Sequence, residues 1–240
     1  TANQPDAIVV SPAVRQRRAR REDLGLTPIE FALLRRLDAP QKIQTFLYTL
    51  KQNFEPDGDS CRPVRRVLRE RSAHCIEAAM LAAAALWVHG EPPLLLDLRA
   101  ERDVDHVVAL YRRNGCWGTL AKANGPLLRD RDPVYRTLRE LAMSYFHEYT
   151  NKHGRKTLRE YSRAFDLRGL DPALWVSGEQ DVWDLVERLD AHPHTRILNA
   201  RQVKTLSRQD PFLRTAGRVL QYRKPRWLLE REKRRKRAPS

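Results

Sequence analysis

Residues 71–90 read RSAHCIEAAMLAAAALWVHG, and this stretch decides how the chain folds. Alanine and leucine dominate it, and between Cys75 and Val88 only Glu77 interrupts the apolar run. Alanine has the highest helix propensity, and its small side chain lets neighbouring elements pack close to the helix backbone. Gly90 and two following prolines end the run. The stretch therefore predicts a central, buried helix with a cysteine at its N-terminal mouth.

The hydrophobic period changes from 3.6 to 2 directly after this helix. The pattern predicts three neighbouring strands at about 94–99, 104–112 and 116–122. The last two are expected to be antiparallel, because the pair Asn114-Gly115 between them favours a two-residue hairpin turn.

Helical patterns lie on both sides of this region. Thr27-Pro28-Ile29-Glu30 provides a capping box with a proline at the first helical position, and a second helix is predicted over 39–50. From Asp132 the helical period returns. We therefore predict an α+β fold, in which the cysteine-bearing central helix packs on a small antiparallel sheet and additional helices lie at both ends of the chain.

Composition divides the chain into four segments. We expect a disordered basic N-terminal segment at 1–22, a core domain at 23–154, a helical C-terminal extension packed on that core at 155–222, and a basic tail at 223–240. The net charge of +15 suggests that the protein could bind nucleic acid. Because much of the excess lies in the two ends, we expect only nonspecific, salt-sensitive binding of polyanions there.

The cysteines and the apolar segments bear on location and cofactors. Three cysteines (Cys61, Cys75 and Cys116) are too few for a disulfide framework and are interpreted as reduced thiols. No N-terminal segment has the apolar core of a secretory signal, and the longest apolar run is shorter than the roughly 20 residues that span a bilayer. We expect a cytoplasmic protein without a membrane interaction. No cysteine or histidine pair has a zinc-ligand spacing, so neither a metal nor a cofactor is predicted.

Cys75 is the candidate nucleophile. A helix N-terminus favours a thiolate through its free N–H groups and its dipole, and Cys75 would be the third residue of the helix if Ser72 is the N-cap. His106, near the start of a predicted strand, is the candidate base. Asn124 is the best-placed polar residue to hydrogen-bond the far ring nitrogen of that histidine.

Simpler interpretations of the same residues stay open. A lone cysteine in an alanine-rich helix is more often a small buried hydrophobe than a nucleophile. His74 is adjacent to Cys75 and could be its partner, although sequence neighbours on a helix rarely face each other. Trp117 could wall a substrate site, but a core anchor is the more common role for such a residue.

The order of these residues resembles the core of the transglutaminase-like superfamily. The segments that carry the resemblance are RSAHCIEAA at 71–79, DVDHVVAL at 103–110 and GCWG at 115–118, within roughly residues 40–125. The resemblance implies Cys75 as nucleophile, His106 as base and Asn124 as the residue that orients it. Family members commonly carry an acid a few positions after the strand tryptophan, whereas residues 118–122 of this chain contain none.

Two functions follow as expectations. The first is a thiol-dependent acyl-transfer enzyme, an amide or peptide hydrolase or a transamidase, acting on a peptide or protein amide. The second is a catalytically inactive binding module on the same fold, which would hold an acidic partner or nucleic acid on its basic surface.

Overall fold

The computed structural model describes residues 18–237, in which short helices alternate with strands. The helices are α1 (Arg21–Leu24), α2 (Pro28–Arg36), α3 (Pro40–Thr49), α4 (Val64–Glu70), α5 (Cys75–Val88), α6 (Leu138–Tyr145), α7 (Pro172–Trp175), α8 (Trp183–Ala191), α9 (Ala200–Lys204), α10 (Pro211–Ala216) and α11 (Arg226–Arg237). The strands are β1 (Lys51–Gln52), β2 (Ser72–Ala73), β3 (Leu94–Ala100), β4 (His106–Arg113), β5 (Cys116–Leu120), β6 (Arg131–Tyr135), β7 (Leu158–Ser162), β8 (Phe165–Asp166) and β9 (His194–Arg196). The α+β class predicted from the sequence is confirmed.

One antiparallel sheet of seven strands organises the fold. Its order is β6-β5-β4-β3-β7-β9, and β8 pairs with β3 beside β7. The three strands predicted after the central helix are confirmed as β3, β4 and β5, which are neighbours in this sheet. Asn114 and Gly115 both have positive φ, at 51° and 79°, as a type I′ hairpin turn requires.

The central helix α5 covers one face of the sheet. Its alanines are fully buried, so that α5 packs closely on β4 and against α2, α3 and α4. Met80 and Leu81 are also fully buried, and each stabilises the fold by about 1.5–3 kcal/mol through the apolar surface removed from water. The buried central helix that the alanine run predicts is therefore present.

The opposite face of the sheet is covered by α6. Leu96, Leu98, Val108 and Leu110 point to this side and pack against Leu141 and other apolar residues of the α6 region. Because helices cover both faces, β4 is continuously buried from His106 to Tyr111, and it is apolar from Val107 onward rather than alternating.

The sequence predicted a helical C-terminal extension, but the structure shows that this extension also contains strands. Segment 155–222 supplies β7, β8 and β9, and β7 pairs with β3 on the side opposite β4. The helix expected from Asp132 is also preceded by β6, and α6 begins only after its N-cap Thr137. These strands are short, and the pairing that stabilises them comes from β3 and β5, which are distant in sequence.

The two basic ends differ from the segments predicted for them. Residues 1–17 of the predicted disordered segment 1–22 and residues 238–240 of the basic tail lie outside the described residues. Within 18–22 the chain is folded, because Ala19 is buried and its N–H donates to the Trp87 carbonyl. Most of the tail forms α11. In the described part of the chain, no helix combines the length and apolarity that crossing a membrane requires.

Candidate active site

Cys75 is the first residue of α5 rather than its third. The N-cap is His74, not Ser72, because Ser72 and Ala73 are extended in β2 and pair in parallel with β1. The prediction that Ser72 is the N-cap was therefore wrong, but the prediction that the thiol lies at the helix N-terminus is confirmed. Cys75 still lies in the first turn, where backbone N–H groups without helical partners favour a negative charge.

The Cys75 thiol is hydrogen-bonded to two imidazoles, those of His106 and His74. Burial alone raises the pKa of this thiol, since it disfavours the charged form. The hydrogen bonds and charges of His106 and His74 outweigh burial and hold the pKa of Cys75 well below its ordinary value. The site therefore favours a thiolate, the form of cysteine that acts as a nucleophile.

The orientation of His106 is fixed on its far side by a backbone carbonyl. His106 is 5% exposed, and its Nε2 donates to the Leu128 carbonyl oxygen at 2.9 Å. A carbonyl only accepts, so Nε2 carries the ring proton and Nδ1 is the nitrogen left for the thiol. The Tyr145 ring meets the imidazole edge-on, with 6.5 Å between the ring centroids.

Leu128 is held in an uncommon backbone conformation. Its φ of 59° is left-handed, which is unfavourable for a residue with a branched side chain. Its N–H donates to Glu148 Oε2 at 2.9 Å, and the same carboxylate oxygen pairs with Arg131 at 2.7 Å. These contacts stabilise the conformation that directs the Leu128 carbonyl toward His106.

Asn124 does not hold the far nitrogen of His106, which was its predicted role. Both ends of its side-chain amide are bound to the backbone of Tyr222, with Nδ2 donating to the Tyr222 carbonyl at 3.0 Å and Oδ1 accepting from the Tyr222 N–H at 2.9 Å. The chain has left β5 at Leu120, so Asn124 belongs to a loop that fastens the C-terminal segment. The Leu128 carbonyl takes the place that the sequence assigned to Asn124.

His74 contacts Cys75 although the two are sequence neighbours. At the N-cap the backbone is extended rather than helical, which turns the His74 side chain toward the thiol. Its Nε2 donates to the Ser60 carbonyl at 2.8 Å. Burial lowers the pKa of His74, but the hydrogen bond and charge of the Cys75 thiolate, with the charge of Glu77, raise it to about 9. His74 is therefore an imidazolium at neutral pH.

The buried carboxylate of Glu77 ties the elements around His74 together. It accepts hydrogen bonds from the Asn53 side chain, the Ser60 hydroxyl and the backbone N–H groups of Arg62 and His74, all between 3.0 and 3.1 Å. The sequence analysis treated Glu77 only as an interruption of an apolar run. The available signal was its position three residues after the N-cap, the spacing of a capping box.

Trp117 lies away from the thiol. It pairs with Arg112 across the β4–β5 hairpin, whereas His106 begins β4 six residues earlier, about 20 Å along the strand. The Arg112 guanidinium stacks over the Trp117 ring at 5.1 Å, and the ring packs against the apolar cluster under α6. The predicted substrate-binding role is thus replaced by packing, the alternative that the sequence left open.

The two other thiols differ from Cys75. All three cysteines are free. Cys61 is buried, and its pKa is raised by burial first and by the charge of Glu77 second. Cys116 is partly exposed at the start of β5. The chain therefore contains an internal comparison for any measurement of thiol reactivity.

A carboxylate cluster that the sequence did not predict lies elsewhere on the sheet. Carboxylate oxygens of Asp97, Asp105 and Asp190 are all within 4.8 Å of one another. Asp97 is 2% exposed, and its Oδ2 is 3.1 Å from His194 Nε2. Burial and the charge of Asp105 raise the pKa of Asp97 to about 6.

Comparison of the sequence with protein-family models and with curated proteins found no match. The chemistry of the site is therefore inferred from its own residues.

Proposed function

We propose that the protein is a thiol-dependent acyl-transfer enzyme on a transglutaminase-like core, with Cys75 as nucleophile and His106 as base. The observation that carries the proposal is a partly exposed cysteine at a helix N-terminus, whose thiol is hydrogen-bonded to His106 and has its pKa held low. The order of elements supports the core, since a cysteine-headed helix is followed by a strand that begins with histidine and then by an antiparallel hairpin.

The first step forms a thioester. The Cys75 thiolate attacks the carbonyl carbon of an amide, and the negative charge that develops on the carbonyl oxygen is stabilised by N–H groups of the first turn of α5. As the carbon–nitrogen bond breaks, the proton held by His106 at Nδ1 moves to the leaving nitrogen, and an amine departs. The acyl group is then bound to Cys75 Sγ.

The second step releases the acyl group. His106 takes a proton from water or from an amine, and the resulting nucleophile attacks the thioester carbonyl. The carbon–sulfur bond breaks and restores the thiolate. Leu128 contributes by its carbonyl alone, which keeps Nε2 protonated and so reserves Nδ1 for proton transfer.

His74 acts as a positioning residue for the thiolate. As an imidazolium it stabilises negative charge on Cys75, and the Ser60 carbonyl and Glu77 hold it in place. It therefore stabilises the thiolate before the attack and again when the thioester is cleaved.

An activated ester tests this function directly, because it acylates a thiolate without requiring the natural substrate. The protein is incubated at pH 6.5 with p-nitrophenyl acetate, and nitrophenolate release is followed while the acylated residue is located by mass spectrometry. We expect one acetyl group on Cys75 and repeated turnover, both lost in Cys75→Ser and kept in the matched variant Cys116→Ser. Acetylation spread over other residues, or turnover that survives in Cys75→Ser, would contradict the proposal.

A further inference from the structure

A basic cavity, whose lining includes none of the residues of the thiol site, lies where three segments distant in sequence meet. Its volume is about 580 Å³, and its cationic lining consists of Arg102, Lys152, His153, Arg155 and Arg208. A second cavity of about 380 Å³ adjoins it and shares Arg102, Arg155 and Arg208. The charge is therefore concentrated in the folded part of the chain, and not only in the basic ends.

Four cations of this cavity have no side-chain partner among the residues that the structure describes. Within residues 18–237, the side chains of Arg102, Lys152, Arg155 and Arg208 form neither an ion pair nor a hydrogen bond. Arg159, which lines only the second cavity, is paired with Glu101 at 2.9 Å. Arg159 is thus neutralised by a carboxylate, whereas the four other cations line the first cavity without one.

The one acidic residue of the cavity is already engaged. Asp103 Oδ2 accepts from the Thr157 hydroxyl at 2.7 Å, and its Oδ1 accepts from the Val104 N–H at 3.0 Å. Its negative charge is thus used to fix the turn beside Arg102, whose φ of 55° is left-handed.

A rigid turn presents the cations from residues 151–155. Gly154 has a φ of 73°, and its N–H donates to the Asn151 carbonyl at 2.8 Å. The Asn151 side chain accepts from the N–H groups of His153 and Arg155 at 3.0 and 3.2 Å. The turn is therefore set before any ligand binds, which lowers the entropic cost of binding.

Arg208 is brought to the same turn by its neighbour. The Gln209 N–H donates to the Gly154 carbonyl at 2.8 Å, and the Thr150 hydroxyl donates to Gln209 Oε1 at 2.9 Å. Cations that repel one another are in this way held together by the backbone. Such an arrangement is stabilised by an anion that several guanidinium groups bind at once.

We propose that this cavity binds a small molecule that carries adjacent phosphate groups. Guanidinium groups match phosphate oxygens in a two-point geometry, and the volume is that of a small-ligand site rather than of a flat polymer surface. Several phosphates in a row engage Arg102, Arg155 and Arg208 together. The shared chemistry belongs both to nucleoside triphosphates and to inorganic polyphosphate. The site does not rest on the chemistry of Cys75.

Titration calorimetry on the full chain tests the proposal with inorganic tripolyphosphate and with adenosine triphosphate at equal ionic strength. We expect one site per chain for tripolyphosphate. Equal affinity for the two ligands identifies the phosphate chain as the recognised group, and tighter binding of adenosine triphosphate identifies a nucleotide. Absence of binding by both would overturn the proposal, as would tight binding of a single-stranded oligonucleotide alone.

Matched variants separate a built site from the general positive charge. Arg155→Gln and Arg208→Gln should each weaken tripolyphosphate binding about tenfold or more, since each removes charged hydrogen bonds. Arg201→Gln, on α9, removes the same charge from an exposed arginine outside the cavity and should leave the affinity unchanged. Equal weakening by all three variants would show diffuse electrostatic attraction and would overturn the site.

Discussion

Two acidic side chains of this protein, the thiol of Cys75 and the carboxyl of Asp97, each interact with histidine, yet their pKa values move in opposite directions. Cys75, at the N-terminus of α5, has its pKa lowered well below the ordinary thiol value. Asp97, in the middle of β3, has its pKa raised to about 6. In both places burial by itself raises the pKa, so the neighbouring groups decide the outcome.

The neighbours differ in number and in sign. Cys75 interacts with two imidazoles, and it lies in the first turn of a helix, where free backbone N–H groups favour negative charge. Asp97 has one imidazole, that of His194, while the nearby Asp105 adds a like charge that favours protonation. The single histidine beside Asp97 therefore does not outweigh burial and the like charge of Asp105, whereas the two imidazoles beside Cys75 do outweigh burial. That pair of imidazoles distinguishes the candidate active site.

Removing the base should give the largest effect. In His106→Gln the thiol loses its general base and one of its two imidazole partners, so acetylation of Cys75 by p-nitrophenyl acetate at pH 6.5 should fall about 100-fold or more. The measurement is the single-turnover rate. His147→Gln, which changes an exposed histidine of the same chain, is the control and should retain the full rate. An unchanged rate in His106→Gln would remove His106 from the site.

The raised pKa of Asp97 predicts how the stability of the protein depends on pH. Its folded pKa of about 6 exceeds the unfolded value of about 3.9, so the folded state keeps a proton that the unfolded state has released. The stability that this proton contributes is present below about pH 4 and is lost as pH rises through about 6.

Asp97→Asn removes that dependence because the amide does not ionise. Relative to the unmodified protein, its free energy of unfolding should improve by on the order of 2 kcal/mol between pH 4 and pH 7. Urea unfolding at both pH values measures the difference. A difference that stays constant with pH, or that changes in the opposite direction, would contradict the raised pKa.

Removing the second imidazole should have a smaller effect. His74→Gln keeps a hydrogen-bonding side chain but loses the positive charge, so the thiol pKa should rise by about one unit and the acetylation rate at pH 6.5 should fall about tenfold. A purely structural role for His74 would alter the melting temperature without moving the pH profile of the thiol.

The smallest effect is expected at Asn124. Asn124→Ala breaks two hydrogen bonds to Tyr222, so the C-terminal segment should be loosened at a cost of about 1–2 kcal/mol in the free energy of unfolding. Acetylation of Cys75 should remain within about twofold, since the variant leaves the Leu128 carbonyl in place. A loss as large as that in His106→Gln would return Asn124 to the role that the sequence assigned to it.

Local chemistry made much of the fold predictable. The alanine run specified the buried helix α5, and Asn114-Gly115 specified the hairpin between β4 and β5, because both depend on neighbouring residues. The strands β7 and β9 were missed, since they are short and depend on pairing with β3 far away in the sequence. For the same reason the sequence predicted a helix from Asp132, although this residue lies in the short strand β6.

The candidate site was predictable only where side chains define it. Cys75 and His106 carry recognisable chemistry, and the structure brings them together. The partner of His106 on its far side is a backbone carbonyl, that of Leu128, which no residue type in the sequence reveals. His74 was discounted because helix geometry separates sequence neighbours, and that rule does not apply at an extended N-cap.

The most direct test of the central claim is the pH dependence of Cys75 alkylation by iodoacetamide. The rate is measured between pH 5 and pH 10 in the full chain by following each cysteine separately in peptide maps, so that Cys116 serves as the internal reference. If two imidazoles hold Cys75 as a thiolate, its rate at pH 6 remains close to its maximum. A rate that instead rises toward a midpoint near the ordinary thiol pKa of about 8.5 would contradict the account.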